Sequence, residues 1–522
     1  MSEFMKESFS ASESISTLQS SIGGGVNPAG NDPKVAVLDT IPQCPRSKMN
    51  ELPDMEKNIE SQENGKKEIQ PTSDDPELNS GYAYVVLACA VFLNFCSWGN
   101  NSGFAIYFAY YSTNNVFPNA SKLDYAAIGG ICFGSAILFG PVINHINGLI
   151  GTKRTLMIGN ICQFIALLLS SFDSTNRLWQ LYLTQGLLQS FGLAFIGLPT
   201  FTVLPLWFTN KPMQKNYRIK DRMLTLSQGI ATAGTGLGGL VFNLAMQKVL
   251  EKHGYRWALR VESFISIFTC TIAILMLKEK KTSKMVEFTF FDKDIFFSPG
   301  FRLLVGYIFF SMLGYVVTLY SIANWTIALG YSAKQGSIVA AMTSVGIIFG
   351  RPTIGLLCDK FGAVTVSCVV YIVMAIFTFA MWIPSRNYAE AIAFAIINGL
   401  LSGTIFVTVA TVVVQTIGHR FNKLNVTFCM AFIAFGVSGI LSPIIGISLR
   451  KPTLSPSQFQ NCCIFIGCAY LVAAAVLATM RGYMISVREI ARPEMSDKEF
   501  FAIRPKFTRY LRNVFKRQSE PV

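Results

Sequence analysis

Apolar residues dominate the chain from residue 81 to residue 480, in long runs that short polar stretches interrupt. A helix that crosses a bilayer needs about 20 consecutive, mostly apolar residues. The runs have that length, so the pattern predicts membrane-spanning helices. Twelve are expected, over residues 82–108, 124–146, 155–173, 178–206, 223–247, 257–277, 301–323, 335–357, 362–383, 389–415, 425–447 and 460–480.

The predicted helices fall into two groups of six on either side of a charged segment. This spacing predicts an all-α integral membrane protein with twelve transmembrane helices in two six-helix halves. A segment rich in Ser, Glu, Asn and Gly and poor in aromatic residues precedes the first helix, and we expect it to be disordered. The predicted regions are an acidic N-terminal tail (1–80), a first half (81–277), a linker (278–300), a second half (301–480) and a basic C-terminal tail (481–522).

Composition agrees with a chain that lies mostly in a lipid bilayer. Hydrophobic residues make up 51% and charged residues 14%, whereas about a quarter of a soluble protein is charged. The net charge of +14 comes from basic residues between apolar runs and in one tail, which does not predict a nucleic-acid partner. Lys and Arg are more frequent in alternate loops, which predicts that both termini are cytoplasmic.

No group of residues predicts a catalytic or metal site, so we expect neither an enzyme nor a cofactor. The 12 cysteines and 3 histidines show no metal-binding spacing. The glycine-rich stretch from Gly234 to Gly239 lies inside an apolar run, without the strand that a dinucleotide-binding turn requires. We interpret it as a surface for helix packing.

Two sequence patterns recur in the two halves. Gln185 to Leu188 reads QGLL in the fourth predicted helix, and Asn398 to Leu401 reads NGLL in the tenth. Glycines and charged residues also follow the second and eighth helices. Repeated halves are typical of transporters that bind their substrate between the halves, near the middle of the membrane.

Charged residues and glycines after the second and eighth helices are candidates for an inner gate. Small residues allow close helix approach, and charges there could hold neighbouring helices together in one state. The alternative is a plain topology anchor. The candidates are Gly148, Lys153, Arg154, Asp359 and Lys360.

Arg351 is the most informative single residue. It lies about 12 Å before Asp359 along the same predicted helix, at 1.5 Å per residue, and so within a hydrocarbon core of about 30 Å. An intramembrane arginine usually faces a cavity or a partner, and it is a suitable counter-charge for a carboxylate. The alternative is a structural arginine bound to helix-end carbonyls.

Carboxylates are almost missing between the predicted helix ends. Glu262, about one turn into the sixth helix, is therefore the candidate for proton coupling, because proton-driven carriers commonly use an intramembrane carboxylate. Transport without a proton is the alternative.

Other polar and aromatic residues at apolar depths are candidates to line a solute pathway, or else form helix–helix contacts. These candidates are Asn101, Tyr107, Gln185, Asn324, Trp325 and Asn398. Tyr110, Tyr111 and Trp382 are expected at the membrane interface.

Several of these segments together resemble one family. The run NFCSWGNNSGFAIY from Asn94 to Tyr107, YLTQG from Tyr182, RWAL from Arg256, and Arg351-Pro352 followed by DKFG from Asp359 are similar to the fungal monocarboxylate-permease homologues. The resemblance covers about residues 80–480. It implies the major facilitator fold and a secondary carrier that moves a monocarboxylate or similar small organic solute, with or without a proton, by alternating access.

The resemblance also implies a monomer in the plasma membrane, with the vacuole or another internal membrane as the alternative. One branch of the family carries riboflavin, so a riboflavin-type solute is the second hypothesis. A third hypothesis is a transporter-like nutrient sensor that signals through residues 1–80.

The chain departs from the animal proton–lactate carriers of the wider family at two positions. Ile347 stands where they have an aspartate, and Ser102 where they have a lysine. Lactate and proton coupling are therefore not implied, and Ser102 becomes a further candidate solute contact. Residues 212–221 look like an insertion, relative to this family, in the loop between the fourth and fifth predicted helices.

Overall fold

A computed structural model describes residues 81–514 and 516, apart from 119, 175–176, 209–223, 279–290, 419, 421–422, 452–456 and 492–494. The predicted N-terminal tail and the predicted insertion at 212–221 lie outside the described residues.

The first half consists of six helices, which together cover the first six predicted spans. They are α1 (Gly81–Thr113), α2 (Lys122–Leu138), α3 (Gly140–Ile150), α4 (Thr152–Ser170), α5 (178–208) and α6 (Leu224–Met276). Helices α2 and α3 together form the second predicted span and are bent by 49°. Ser121 and Asp124 form a capping box at the start of α2, which satisfies backbone amides that a helix start leaves free.

Helix α6 contains two predicted spans. It runs for 53 residues, and Gly254 within it has φ 78° and ψ 175°. A helix of that length would be about 80 Å long at 1.5 Å per residue, more than twice the hydrocarbon thickness. The break at Gly254 therefore separates a first arm from a second arm, as the sequence predicts.

The second half follows the described end of the linker, which carries a short helix. The elements are α7 (Lys293–Phe296), α8 (Pro299–Ala328), α9 (Ala333–Phe361), α10 (Ala363–Trp382), α11 (Tyr388–Leu401), α12 (Thr404–Thr416), α13 (Leu424–Ser448) and α14 (Gln460–Ile490). The tenth predicted span is thus interrupted, because Ser402 is extended and Gly403 is left-handed.

By length and composition, nine helices of the described chain could cross a membrane, or ten if α2 and α3 form one span. The two arms of α6 raise the number of crossings by one. Helix α4 takes the position of the third predicted span, but it is not among the helices that are long and apolar enough to cross a membrane by these criteria. The count of twelve spans therefore stays a prediction at α4.

The two halves meet along two helix pairs. The first arm of α6 packs on α9, and α2 packs on α13. Glycines allow the close approach: a Cβ atom on Gly236 would lie 2.7 Å from the Ser344 carbonyl oxygen, and one on Gly134 would lie 2.6 Å from that of Gly436.

The region after residue 480 is partly helical. Helix α14 continues to Ile490, and the short helices α15 (Asp497–Ala502) and α16 (Phe507–Val514) follow. Helix α16 packs on α14, and Asn513 donates a hydrogen bond to Ser486 at 3.0 Å. Asp292 of the linker and Lys423 form an ion pair of 2.7 Å. We call the end of the bundle that carries this pair and the helices α15 and α16 the linker end.

Candidate functional site

Arg351 lies in the middle of the bundle, on α9 where it packs against α6. Its side chain is 2% exposed. The Nη1 atom donates to the Thr232 carbonyl oxygen at 2.7 Å and to Thr235 Oγ1 at 2.6 Å, both on α6. These bonds join the two halves through a charged group.

The break between α11 and α12 makes room for the guanidinium group. Gly403 has φ 76°, and a Cβ atom there would lie 2.7 Å from Arg351 Nη2. A glycine is needed on both counts, because a side chain would be strained at this φ and would also strike the arginine. On another side, the guanidinium lies 5.3 Å from the Phe406 ring centre.

Arg351 has no anionic partner among the described residues. None of the ion pairs in that part of the chain includes it, and its Nε atom is buried without a hydrogen-bond partner. A charge removed from water in this way is unfavourable unless it is paired. An anionic solute could provide the missing partner.

A narrow cavity lies beside the guanidinium, between the halves. The space open to the centre of a water molecule is about 20 Å³, enough for one or two waters. Contacts between the halves lie on both sides of this cavity along the bundle. Toward the linker end, Leu226 N donates to Asp359 Oδ2 at 3.2 Å. Toward the opposite end, Phe104 packs on Tyr320. The lining residues are Asn94, Trp98, Asn101, Ser102, Phe133, Phe201, Thr232 and Thr235 from the first half, and Tyr315, Leu319, Arg351 and Phe406 from the second.

Helix α1 places four of these residues on one face. A π-helical segment from Phe95 to Gly99 lies within this stretch. Such segments widen the helix and leave carbonyl groups without their usual partners. Gln163 Nε2 donates to the Cys96 carbonyl oxygen at 2.7 Å, which satisfies one of them. Asn101 Nδ2 donates to Tyr320 OH at 3.4 Å.

Glu262 forms a second buried polar group, away from the cavity lining. Its side chain is 1% exposed, and its Oε2 atom accepts a hydrogen bond from Tyr107 OH at 2.5 Å. No ion pair in the described chain includes Glu262. The structure therefore joins the predicted coupling residue to Tyr107, a predicted solute contact.

The remaining predicted solute contacts do not line the cavity. Gln185 donates to Tyr111 OH at 3.2 Å, Asn324 donates to its own helix at Tyr320 O, and Trp325 packs edge-on against Trp382 at 5.8 Å. Asn398 is buried within α11. Among the predicted contacts, Arg351, Asn101 and Ser102 are the cavity-lining ones.

The expectation that Tyr111 and Trp382 lie at the membrane interface is wrong. Tyr111 is 0% exposed and Trp382 is 1% exposed. Tyr111 contacts the rings of Phe117, Tyr125 and Tyr255. Both residues belong to packed aromatic clusters because their helix faces point into the bundle.

The predicted gate residues have different surroundings. Asp359 crosses between the halves through its bond from Leu226, whereas Lys153 donates to Leu275 O at 3.4 Å within the first half. Gly148, Arg154 and Lys360 are exposed. The glycines from Gly234 to Gly239 contact α1 and α9, which confirms the predicted packing surface.

Sequence reasoning did not select the aromatic lining or the two threonines. A usable signal was present in α1, because Asn94, Trp98, Asn101 and Ser102 recur at the spacing of one helix face. The rings of Phe133, Phe201, Tyr315 and Phe406 have no comparable signal, since apolar residues surround each of them in the sequence.

Comparisons with known proteins agree with this architecture. The family model described as Major Facilitator Superfamily matches residues 87–443 and 303–518. The chain is 41% identical over 435 residues to "Probable transporter MCH2" of Saccharomyces cerevisiae, covering 82% of this chain and 89% of that protein. It is 27% identical over 463 residues to "Uncharacterized transporter ESBP6" of the same organism, covering 86% and 65%.

Among solved structures, the D-xylose-proton symporter is similar in fold. The TM-score is 0.55 at 17% identity, and the match covers 76% of this chain and 97% of that one. The predicted fold is confirmed by these matches. The chain belongs to the major facilitator superfamily, and it is a multi-pass membrane transporter of a small solute.

Proposed function

We propose that the protein carries a monocarboxylate or similar small organic anion by alternating access, and that Arg351 binds the anionic group. One observation supports this most: a guanidinium group lines the cavity between the halves, is 2% exposed and has no carboxylate partner among the described residues.

The chemistry of the site favours an anion over a neutral solute. A buried charge is stabilised by an opposite charge, and a carboxylate matches the planar guanidinium group through two parallel hydrogen bonds. Because Arg351 also bonds to Thr232 and Thr235 of the other half, an anion bound here would influence how the halves meet. This coupling is what rocking of two halves requires.

The test is exchange of labelled solute by purified protein in sealed liposomes. Acetate, lactate, pyruvate and riboflavin are tested over a wide concentration range, with the wild type and Arg351→Ala. Arg450→Gln is the matched control, because Arg450 also lies in the second half, near Ser321 and Phe459, but does not line the cavity.

Carboxylate exchange that Arg351→Ala abolishes and Arg450→Gln retains would support the proposal. If riboflavin alone exchanges, the carboxylate assignment is wrong and the riboflavin-type alternative replaces it. If both variants lose exchange equally while folded, Arg351 has no special role in binding.

We propose further that Glu262 is the proton-coupling group. It is buried, has no ion-pair partner among the described residues, and is bound to Tyr107. Glu262→Gln retains an acceptor for Tyr107 but cannot release a proton. It should therefore keep solute exchange and lose accumulation driven by a pH gradient. Retained pH-driven accumulation would exclude Glu262 as the coupling group.

A further inference from the structure

Five of the twelve residues that line the Arg351 cavity are aromatic, and four of their rings contact one another. Trp98 and Phe133 meet edge to face at 5.3 Å, and Phe406 lies 6.4 Å from Trp98. Tyr315 meets Phe406 edge to face at 5.3 Å. These four rings come from four helices and both halves, so the solute cavity has a continuous aromatic surface beside a single cation.

The position of Trp98 is set by its neighbour on α5. A Cβ atom on Gly197 would lie 2.5 Å from Trp98 Nε1, so the indole edge rests directly on the backbone of α5. The polar edge of the indole is thus directed at α5, and Nε1 has no hydrogen-bond partner there. Phe133 packs on the Trp98 ring from α2.

The same cavity also has polar lining groups, from α1, α6 and α9. Arg351 lies beside Thr232 and Thr235, and Asn94 contributes a buried Oδ1 atom with no hydrogen-bond partner. The Asn94 Nδ2 atom donates to Ala90 O at 2.9 Å. This bond fixes the orientation of the amide and leaves Oδ1 as an acceptor without a donor. The site thus offers one charged group, several aromatic rings, and polar groups of α1 that include the unpaired Asn94 Oδ1 atom.

A short carboxylate would use only part of this surface. Lactate or acetate could pair with Arg351, but it would leave water against the rings, which is unfavourable. Aromatic walls bind flat apolar groups both through the area removed from water and through ring–ring geometry. A single methylene in an apolar pocket already changes selectivity by about 10-fold to 200-fold.

We propose that the solute is a carboxylate with a flat apolar body about the size of a benzene ring, selected by Trp98, Phe133 and Phe406. This inference rests on the proposed function, since it takes Arg351 as the site of the carboxylate. Because the cavity has room for only one or two waters, this proposal requires the rings and the guanidinium group to move apart when the solute enters.

The test compares 2-oxo acids that share one charged group. Pyruvate, phenylpyruvate and cyclohexylpyruvate differ only in the body, and all three stay ionised near neutral pH, which limits leakage through lipid. Exchange is measured in proteoliposomes for the wild type, Phe133→Leu and Arg351→Ala. Phe394→Leu is the matched control, because Phe394 is fully buried against Trp382 at 4.7 Å and lies outside the cavity lining.

In the wild type, half-saturation should occur at a concentration about tenfold or more lower for phenylpyruvate than for pyruvate. Phe133→Leu should narrow this gap, and Phe394→Leu should leave it unchanged. Equal half-saturation for the two acids, or an equal effect of both leucine variants, would overturn the selection by aromatic rings. Equal exchange of cyclohexylpyruvate and phenylpyruvate would overturn the preference for a flat body.

Failure of the proposed function gives a different result. In that case, Arg351→Ala would exchange all three acids as the wild type does, or none of the proteins would exchange any of them.

Discussion

Replacing Gly403 by alanine should displace Arg351 without removing it. Gly403 has φ 76°, and the new Cβ atom would lie 2.7 Å from Nη2 and 3.0 Å from Nε of Arg351. The guanidinium group must move, and it is held on the other side by Thr232 and Thr235. We expect Gly403→Ala to break or lengthen at least one of these two bonds.

The expected effect of Gly403→Ala has two parts, one on folding stability and one on transport. Alanine in the left-handed region costs about 1–2 kcal/mol of folding stability. A hydrogen bond to a charged group contributes about 1.5–3 kcal/mol. If the lost bond also positions Arg351 for the solute, the transport rate should fall about 10-fold to 100-fold.

Gly330→Ala is the control that separates these parts. Gly330 has φ 96°, but no atom lies within 4 Å of a Cβ there, so it carries the backbone strain alone. Both variants are compared by thermal unfolding in detergent and by initial exchange rates in proteoliposomes. Gly330→Ala should lose stability and keep transport. If Gly403→Ala transports as well as Gly330→Ala, the proposed role of Gly403 in placing Arg351 is wrong.

Three further predictions concern the linker end. Burial raises the pKa of the Asp292 carboxyl, but hydrogen bonds from Lys423 and from backbone amides outweigh it, so its pKa lies below the ordinary value. The stability that the ion pair contributes is therefore present above about pH 4 and lost as the pH falls through the lowered pKa. The melting-temperature difference between wild type and Asp292→Asn should shrink as the pH falls below about 4, and a difference that stays constant through that acid range would contradict this. Asp359→Ala should weaken the contact between α6 and α9. In a variant whose only cysteine is Cys358, which is 4% exposed, the substitution should therefore increase thiol labelling. Unchanged labelling would argue against a gate at Asp359. Phe500→Ala should lower the free energy of unfolding by about 3 kcal/mol, because Phe500 is 7% exposed and packs on Gly418. A melting temperature equal to that of the wild type would show that α15 does not stabilise the bundle.

Several features of the chain were predictable because they depend on local sequence alone. In lipid, each helix satisfies its own backbone hydrogen bonds, so the length and polarity of a run decide whether a helix forms there. This explains why helices form at the predicted spans, although the second and tenth spans are each divided into two helices. The position of Arg351 along α9, before Asp359, was predictable in the same way.

The membership of the site was not predictable from runs of apolar residues. Phe133 and Phe406 resemble their apolar neighbours in sequence, and only the packing of four helices turns their rings toward one cavity. Tyr111 illustrates the reverse error: an aromatic residue near a helix end was expected at the interface, but it is buried among other rings.

The sequence by itself therefore determined the class of protein, the positions of its helices and the presence of an intramembrane cation. Tertiary structure decided which faces meet: it placed Asn101 and Ser102 at the cavity, Tyr107 on Glu262, and Gly403 beneath Arg351. The physical reason is that a helix in lipid is a local structure, whereas its rotation about its own axis is set by close packing against neighbours that lie far away in sequence.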